Sequence, residues 1–168
     1  MACNQTLAGL ARDCATSQGG IVTVWMSNYD GITVTSSGDT VTAIEGGEWK
    51  QYHFKKGTGS MTSTLNVDAA NGVNYVSTDL VLSFLRMETT KRIEMSALAV
   101  NELAIIVKDA NGKYWYLGKD EAVTATAGSG ETGTARGDGN RYSITLQDTS
   151  ETFPYEVEES VIAGLTAA

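Results

Sequence analysis

The chain has 168 residues, enough for one domain that buries roughly 70% of its unfolded surface. With 42% hydrophobic and 19% charged residues, 21 Thr and 13 Ser, it is neither a disordered tail nor a coiled coil, and 18 Gly against one Pro exclude collagen-like and proline-rich chains. A net charge of −8 repels nucleic acid and anionic lipid at long range, so tight nucleic-acid binding is not expected.

Residues 1–19 carry only Leu7, Leu10, Ala11 and Cys14 at helical spacing and are expected to form an N-terminal arm; residues 20–168 are expected to form a single β-rich domain. The opening Met1–Gln5 has neither a basic segment nor an apolar core, and no stretch approaches 18 apolar residues, which predicts no cleavable export signal and no membrane span. Cys3 lies too near the start to follow a lipoprotein signal, and Cys14 follows the charged Arg12-Asp13. The two cysteines can close a small loop, but free thiols are expected in a chain made in the cytoplasm.

Ile21–Met26 is a β-branched and aromatic run between Gly-Gly and a Ser-Asn-Tyr-Asp-Gly turn, which predicts a strand. Ile32–Thr35 and Thr40–Ile44 alternate about a Ser-Ser-Gly-Asp turn and predict a hairpin, and Glu48–Lys55 predicts another strand. A long hairpin follows at about 58–87, with Ala69-Ala70-Asn71-Gly72 as its turn and arms reaching roughly 35–45 Å at ~3.3 Å per residue. In its first arm Thr58, Ser60, Thr62, Thr64, Asn66 and Asp68 share one face, and Met61, Leu65 and Val67 dominate the other. In the second arm Ser77, Asp79 and Ser83 alternate against Val76, Thr78, Leu80, Leu82 and Phe84, with Val81 and Leu85 mixed into the polar set.

One helix is predicted at about 90–100, where Ile93, Ala97 and Val100 repeat at helical spacing. Leu103–Val107 and Lys113–Leu117 flank Asp109-Ala110-Asn111-Gly112 as a second Asn-Gly hairpin. Residues 128–139 are rich enough in glycine to predict a mobile surface loop. Tyr142–Leu146 and Phe153–Val157 close the sheet, the latter read as an edge because of Pro154. The fold class is therefore mainly β: a sandwich or barrel-like sheet with one helix and a long hairpin.

Motifs of catalysis or ligand binding are weak. Gly128–Gly133 matches GxGxxG by letter, but no strand-to-helix turn surrounds it, so no nucleotide is expected. Arg136-Gly137-Asp138 is three common residues in a Gly-rich stretch, and Asn4-Gln5-Thr6 is a sequon without secretory context. Asp109-Ala110-Asn111-Gly112 starts like a calcium loop but offers Lys113 and Tyr114 where oxygen and glycine belong. His53 is the one histidine, in an aromatic strand, and no Cys or His pair has metal-ligand spacing. Glu151, Glu156, Glu158 and Glu159 read as solvated charge or as contact with a neighbouring subunit. No catalytic residue, cofactor or metal is expected.

The order of elements (arm, strands, long hairpin, helix, Asn-Gly hairpin, closing strands) resembles the tail-tube subunits of bacteriophages. The opening Met1-Ala2-Cys3-Asn4-Gln5-Thr6-Leu7-Ala8-Gly9, the segment Ile105–Lys113 and Leu117-Gly118 are similar to virion structural proteins of phages of gut Bacteroidales. The likeness covers nearly the whole chain and rests on pattern and short strings. It implies a virion protein made in the bacterial host cytoplasm that joins copies of itself, commonly as hexameric rings, with other tail proteins as partners. It implies a lumen lined by Thr58, Ser60, Thr62, Thr64, Asn66, Asp68, Ser77 and Asp79, past which DNA slides without tight binding. We assign Met61, Leu65, Val67, Leu80, Leu82 and Phe84 to contacts between subunits. The arm and the Gly-rich stretch are expected between rings. Lys55 and Lys56 break the pattern of a cation-free lumen. A capsid decoration or head–tail connector protein shares the same composition, and a carbohydrate-binding sandwich stacking sugars on Trp49, Trp115 or Tyr116 is the competing class.

Overall fold

The β-branched and aromatic runs become strands that pair into two sheets, which do not close into a barrel. The structure is a computed structural model and describes residues 6–166. The first sheet is built from β1 (Ile21–Asn28), β2 (Thr33–Ser37), β3 (Thr40–Glu45), β4 (Lys50–Tyr52), β7 (Leu103–Asp109), β8 (Tyr114–Leu117) and β11 (Tyr155–Val157), in the order β2-β3-β11-β8-β7-β1-β4. The second holds β5 (Gly59–Asp68), β6 (Val73–Leu85), β9 (Thr124–Glu131) and β10 (Arg141–Ser150), in the order β5-β6-β10-β9. Helix α1 covers Thr89–Val100 and α2 covers Glu159–Thr166.

Alternation decides what each face buries. Val24, Met26, Leu103, Ile105, Val107 and Leu117 of the first sheet pack against Leu80, Leu82, Ile144 and Leu146 of the second, with Leu98 of α1 joining the cluster. The opposite face of the first sheet buries Trp25, Ala104, Ile106, Tyr114 and Tyr116 beneath Val161 and Ile162 of α2. The order through the protein is therefore sheet, sheet, helix.

Four expectations change. The molecule has a second helix, α2, whose Val161, Ile162 and Leu165 cover the first sheet. The first third of the Gly-rich stretch is strand: Gly128, Ser129, Gly130 and Glu131 pair with Ile144, Ser143, Tyr142 and Arg141. A well-paired neighbour supplies the ladder that glycine's own propensity does not, and the Tyr142 ring lies where a Cβ on Gly130 would be, within 2.9 Å. β11 is not an edge, because it pairs with β3 in parallel and with β8 antiparallel. Pro154 sits one residue before it and costs no ladder bond. β4 spans three residues only.

Residues 6–19 form no helix or strand. Leu7 and Leu10 are fully exposed, and the segment is tied down near its end, where Gln18 N–H donates to Asn111 Oδ1 (2.8 Å) and Asn111 Nδ2 donates to the Gln18 carbonyl (3.1 Å). Cys14 is an exposed free thiol. Cys3, and with it any pairing of the two cysteines, lies outside the described residues.

Candidate assembly surface

The second sheet faces the core on one side and solvent on the other, and the register shows what each side carries. On the solvent side Ser60 stands opposite Val81, Thr62 opposite Asp79 and Thr64 opposite Ser77. Across β6, Val81, Asp79, Ser83 and Ser77 meet Thr145, Gln147, Ser143 and Thr149 of β10. The middle of this face is therefore a lattice of short hydroxyl and amide side chains around Val81, with Leu85 at one end and Tyr75 and Val73 at the hairpin tip. The polar side chains bond to one another: Ser83 and Ser143 hydroxyls lie 2.8 Å apart, and Gln147 Nε2 donates to Asp79 Oδ1 at 2.9 Å. Within the four strands Arg141 is the only cationic residue, and its guanidinium pairs with the Glu131 carboxylate.

The hairpin residues assigned to a wet face from sequence that lie within strands fall on this side, and Thr58 precedes β5. Ser60, Thr62 and Thr64 are exposed, and Asn66, Ser77 and Asp79 are half-buried. Two are engaged in turns. The Thr58 hydroxyl donates to the Lys55 carbonyl (2.7 Å), and Asp68 accepts the Ala70 and Asn71 N–H groups and Asn71 Nδ2, which holds its carboxyl below the ordinary range. Residues Ser143, Thr145, Gln147 and Thr149 complete the face. Their strict alternation with Tyr142, Ile144, Leu146 and Asp148 carries the same period-two signal as the hairpin.

The residues assigned to subunit contacts divide. Leu80 and Leu82 have no exposure and belong to the protomer's own core, because the first sheet supplies the apolar layer they face. Met61 and Phe84 are partly buried against the same cluster. Leu65 and Val67 are 50% and 64% exposed; Leu65 shares the last row of β10, opposite Val76 and Ser150, and Val67 lies beyond it. Tyr75 and Val73 are exposed at the same tip, on the other face.

Among the described residues both edges of this sheet are open. β5 pairs only with β6, over its full length, and β9 only with β10, with a bulge at Thr126. All three pairings are antiparallel, so β5 and β9 run in opposite directions. On the core-facing side β9 presents Gly128 and Gly130 opposite Ile144 and Tyr142. The absent side chains leave a groove of about 490 Å³ between β9 and α1, bordered by Met95 and Ala99.

Beneath the hydroxyl face lies Asp148, 2% exposed, whose Oδ1 accepts the Gly118 N–H at 3.1 Å. Burial, helped by the negative charges of Asp120 and Glu121, pushes its carboxyl up to about 6 against the pull of the Gly118 hydrogen bond. On the far side of α1, Tyr52 donates to Glu94 Oε1, and burial first and Glu94 second push the phenol up.

The motifs of catalysis and binding resolve into local structure. Asp109 Oδ1 accepts the N–H groups of Asn111 (2.8 Å) and Lys113 (2.9 Å), and Oδ2 accepts Trp115 Nε1 (2.9 Å), so this carboxylate organises a turn. Asp138 Oδ2 accepts the N–H groups of Thr134 and Ala135, which fixes the Arg136-Gly137-Asp138 turn and lowers that carboxyl. Glu156 pairs with Lys113, and Glu159 opens α2. His53 is exposed. Among the described residues no cluster of three His, Cys, Asp or Glu could hold a metal ion. Trp115 and Tyr116 are consecutive on β8 and so point to opposite faces; Tyr116 is 2% exposed, and Trp115 and Trp49 are half-buried. No helix among the described residues is long and apolar enough to cross a membrane.

Compared with family models, with curated proteins and with solved structures, the chain matches none.

Proposed function

We propose that this chain is a self-assembling structural subunit of a bacteriophage virion, a tail-tube protein whose copies join into stacked rings around a DNA-conducting lumen. The observation that carries the reading is a four-stranded sheet with two open, oppositely directed edges and a hydroxyl-covered face. An open edge exposes unpaired N–H and C=O groups, and pairing with another copy satisfies them. Because an even number of alternating strands ends on opposite directions, β9 of one copy meets β5 of the next antiparallel, and the ladder continues round a ring until it closes.

The chemistry of the face suits a passage for DNA. Hydroxyls and amides keep it wet, and its single guanidinium is neutralised by Glu131. Without free cations the wall does not release counterions from sliding phosphates and does not grip them. Lys55 and Lys56 lie outside the sheet, before β5. The partners of this reading are other copies of the chain, neighbouring tail proteins and DNA in transit, and the place of function is the virion tail.

Sedimentation velocity and negative-stain electron microscopy of purified protein test it. Rings or hollow tubes are expected, and a monomer at every concentration would count against it. Two proline substitutions sharpen the test. Consecutive residues of β9 aim their N–H groups to opposite sides, so of Gly128→Pro and Ser129→Pro one breaks the bond to β10 and the other blocks the open edge. The variant that keeps its fold is expected to lose assembly.

A further inference from the structure

We propose that Leu65 and Val67 of one copy seat in the groove between β9 and α1 of the adjacent copy, so that each subunit completes its neighbour's core. This rests on the ring reading above and names the contact that holds the ring.

The geometry follows from the register. In one chain Gly128 stands opposite Ile144, Ile144 opposite Leu82, and Leu82 opposite Gly59. One row across the sheet therefore ends on Gly128 at one edge and Gly59 at the other. A ring built without stagger would set β9 against residues 59–62 and the non-strand segment before them, and would leave Leu65–Asp68 unpaired. Barrels are not built that way: their strands tilt by roughly 35–45°. Four strands at ~4.8 Å advance about 19 Å around the ring, so the tilt displaces each copy by roughly 13–19 Å along the strands, or about four to six residues at ~3.3 Å each.

Only toward the hairpin tip does β5 have strand to offer. Displaced that way by four or six residues, Gly128 meets Ser63 or Leu65 of the neighbour. Ala125, whose row runs through Leu146 and Leu80 to Met61, meets Leu65 or Val67. An even displacement keeps faces matched, so these side chains point to the core-facing side, where Gly128 and Gly130 leave the groove open. The open groove of about 490 Å³ is floored by Tyr142 and Ile144 and walled by Met95 and Ala99, with Arg92 and Ser96 of α1 also bordering it, a mainly apolar receptor for aliphatic side chains. Leu65 and Val67, 50% and 64% exposed in the isolated chain, are the aliphatic residues on that face of β5 that its own core does not cover.

Three variants test the contact, with assembly read by sedimentation. Leu65→Ser with Val67→Ser leaves the protomer core untouched and is expected to raise the concentration needed for assembly roughly tenfold or more. Gly128→Leu fills the groove from within; its φ is not in the left-handed region, and its Cβ would meet nothing closer than the Ser143 carbonyl at 3.5 Å, so the fold is kept and assembly is lost. Leu65→Cys with Gly128→Cys, in a Cys3→Ser, Cys14→Ser background, is treated with a short bismaleimide. Within one chain the two positions are separated by three strand spacings, about 14 Å, and by six residues, about 20 Å, along the strands, so they lie about 24 Å apart and beyond the reach of a short bismaleimide. A ladder of covalent oligomers that ends at the ring number supports the proposal. Wild-type-like assembly of both groove variants, with no ladder, overturns the seating while the ring stands. A wild-type chain that remains monomeric overturns ring and seating together.

Discussion

Asp148→Asn is expected to stabilise the protomer at neutral pH, because this carboxyl is nearly sequestered from water and accepts a single hydrogen bond among the described residues, from the Gly118 N–H. Its carboxyl is pushed up to about 6, against an ordinary value near 4 for an unfolded chain. Between those values the native protein holds a proton that the unfolded chain has released, so stability falls as pH rises through the window from about 4 to about 6. Two pH units at ~1.4 kcal/mol each make the loss at neutral pH up to ~3 kcal/mol. Asn keeps an acceptor for the Gly118 N–H and carries no charge, so it escapes the loss. Urea unfolding followed by tryptophan fluorescence, at concentrations below assembly, measures this directly. The wild type is expected to lose stability between pH 4 and 6.5 and to level off above. The variant is expected to be flat across the window and the more stable of the two at pH 7.5. The carboxyls of Asp68, Glu88 and Asp138, all held below their ordinary values, act with opposite sign, at the acid end of the range. A wild type that is flat from pH 4 to 6.5, or a variant that is weaker at pH 7.5, would refute the reasoning.

Leu82→Ala removes a fully buried side chain at the junction of the two sheets and is expected to cost ~2–5 kcal/mol in the isolated protomer, read as a shifted urea midpoint; a change confined to assembly would return Leu82 to the subunit contact. Trp25→Phe removes a buried Nε1 with no partner among the described residues, a gain of ~1–3 kcal/mol that offsets the lost apolar volume, so the net change in unfolding free energy is expected to stay within about 1 kcal/mol. Thr145→Lys adds an unpaired cation to the hydroxyl face, and tubes of this variant are expected to retain DNA in low salt and release it in high salt, whereas wild-type tubes do not retain it; filter binding across a salt series reads the difference.

The residues that make the hairpins announce them. Asn71-Gly72 and Asn111-Gly112 need little beyond local turn chemistry, and Asp68 and Asp109 complete both turns with their own carboxylates. The apolar face of β6 is equally plain, but alternation says only that Leu80 and Leu82 are covered, not by what. Their cover is β1 and β7, far away in sequence, and that is why they read as subunit contacts. β9 is hidden for the opposite reason: its glycines and alanines carry no strand preference, and its order comes from seven residues of β10, Arg141–Gln147, and from the ring of Tyr142. The short α2 has an apolar pattern in Val161, Ile162 and Leu165 that its acidic flank obscures. The hydroxyl face is legible on the hairpin and on β10, while the two open edges belong to topology and cannot be read from any single segment.

The most direct measurement of the central claim is amide hydrogen exchange on dispersed and assembled protein, resolved to β5 and β9. Their outward N–H groups are expected to exchange freely in the dispersed chain and to become protected on assembly, while β6 and β10, already paired on both sides, change little. Equal exchange at β5 and β9 in both states would contradict edge-to-edge joining.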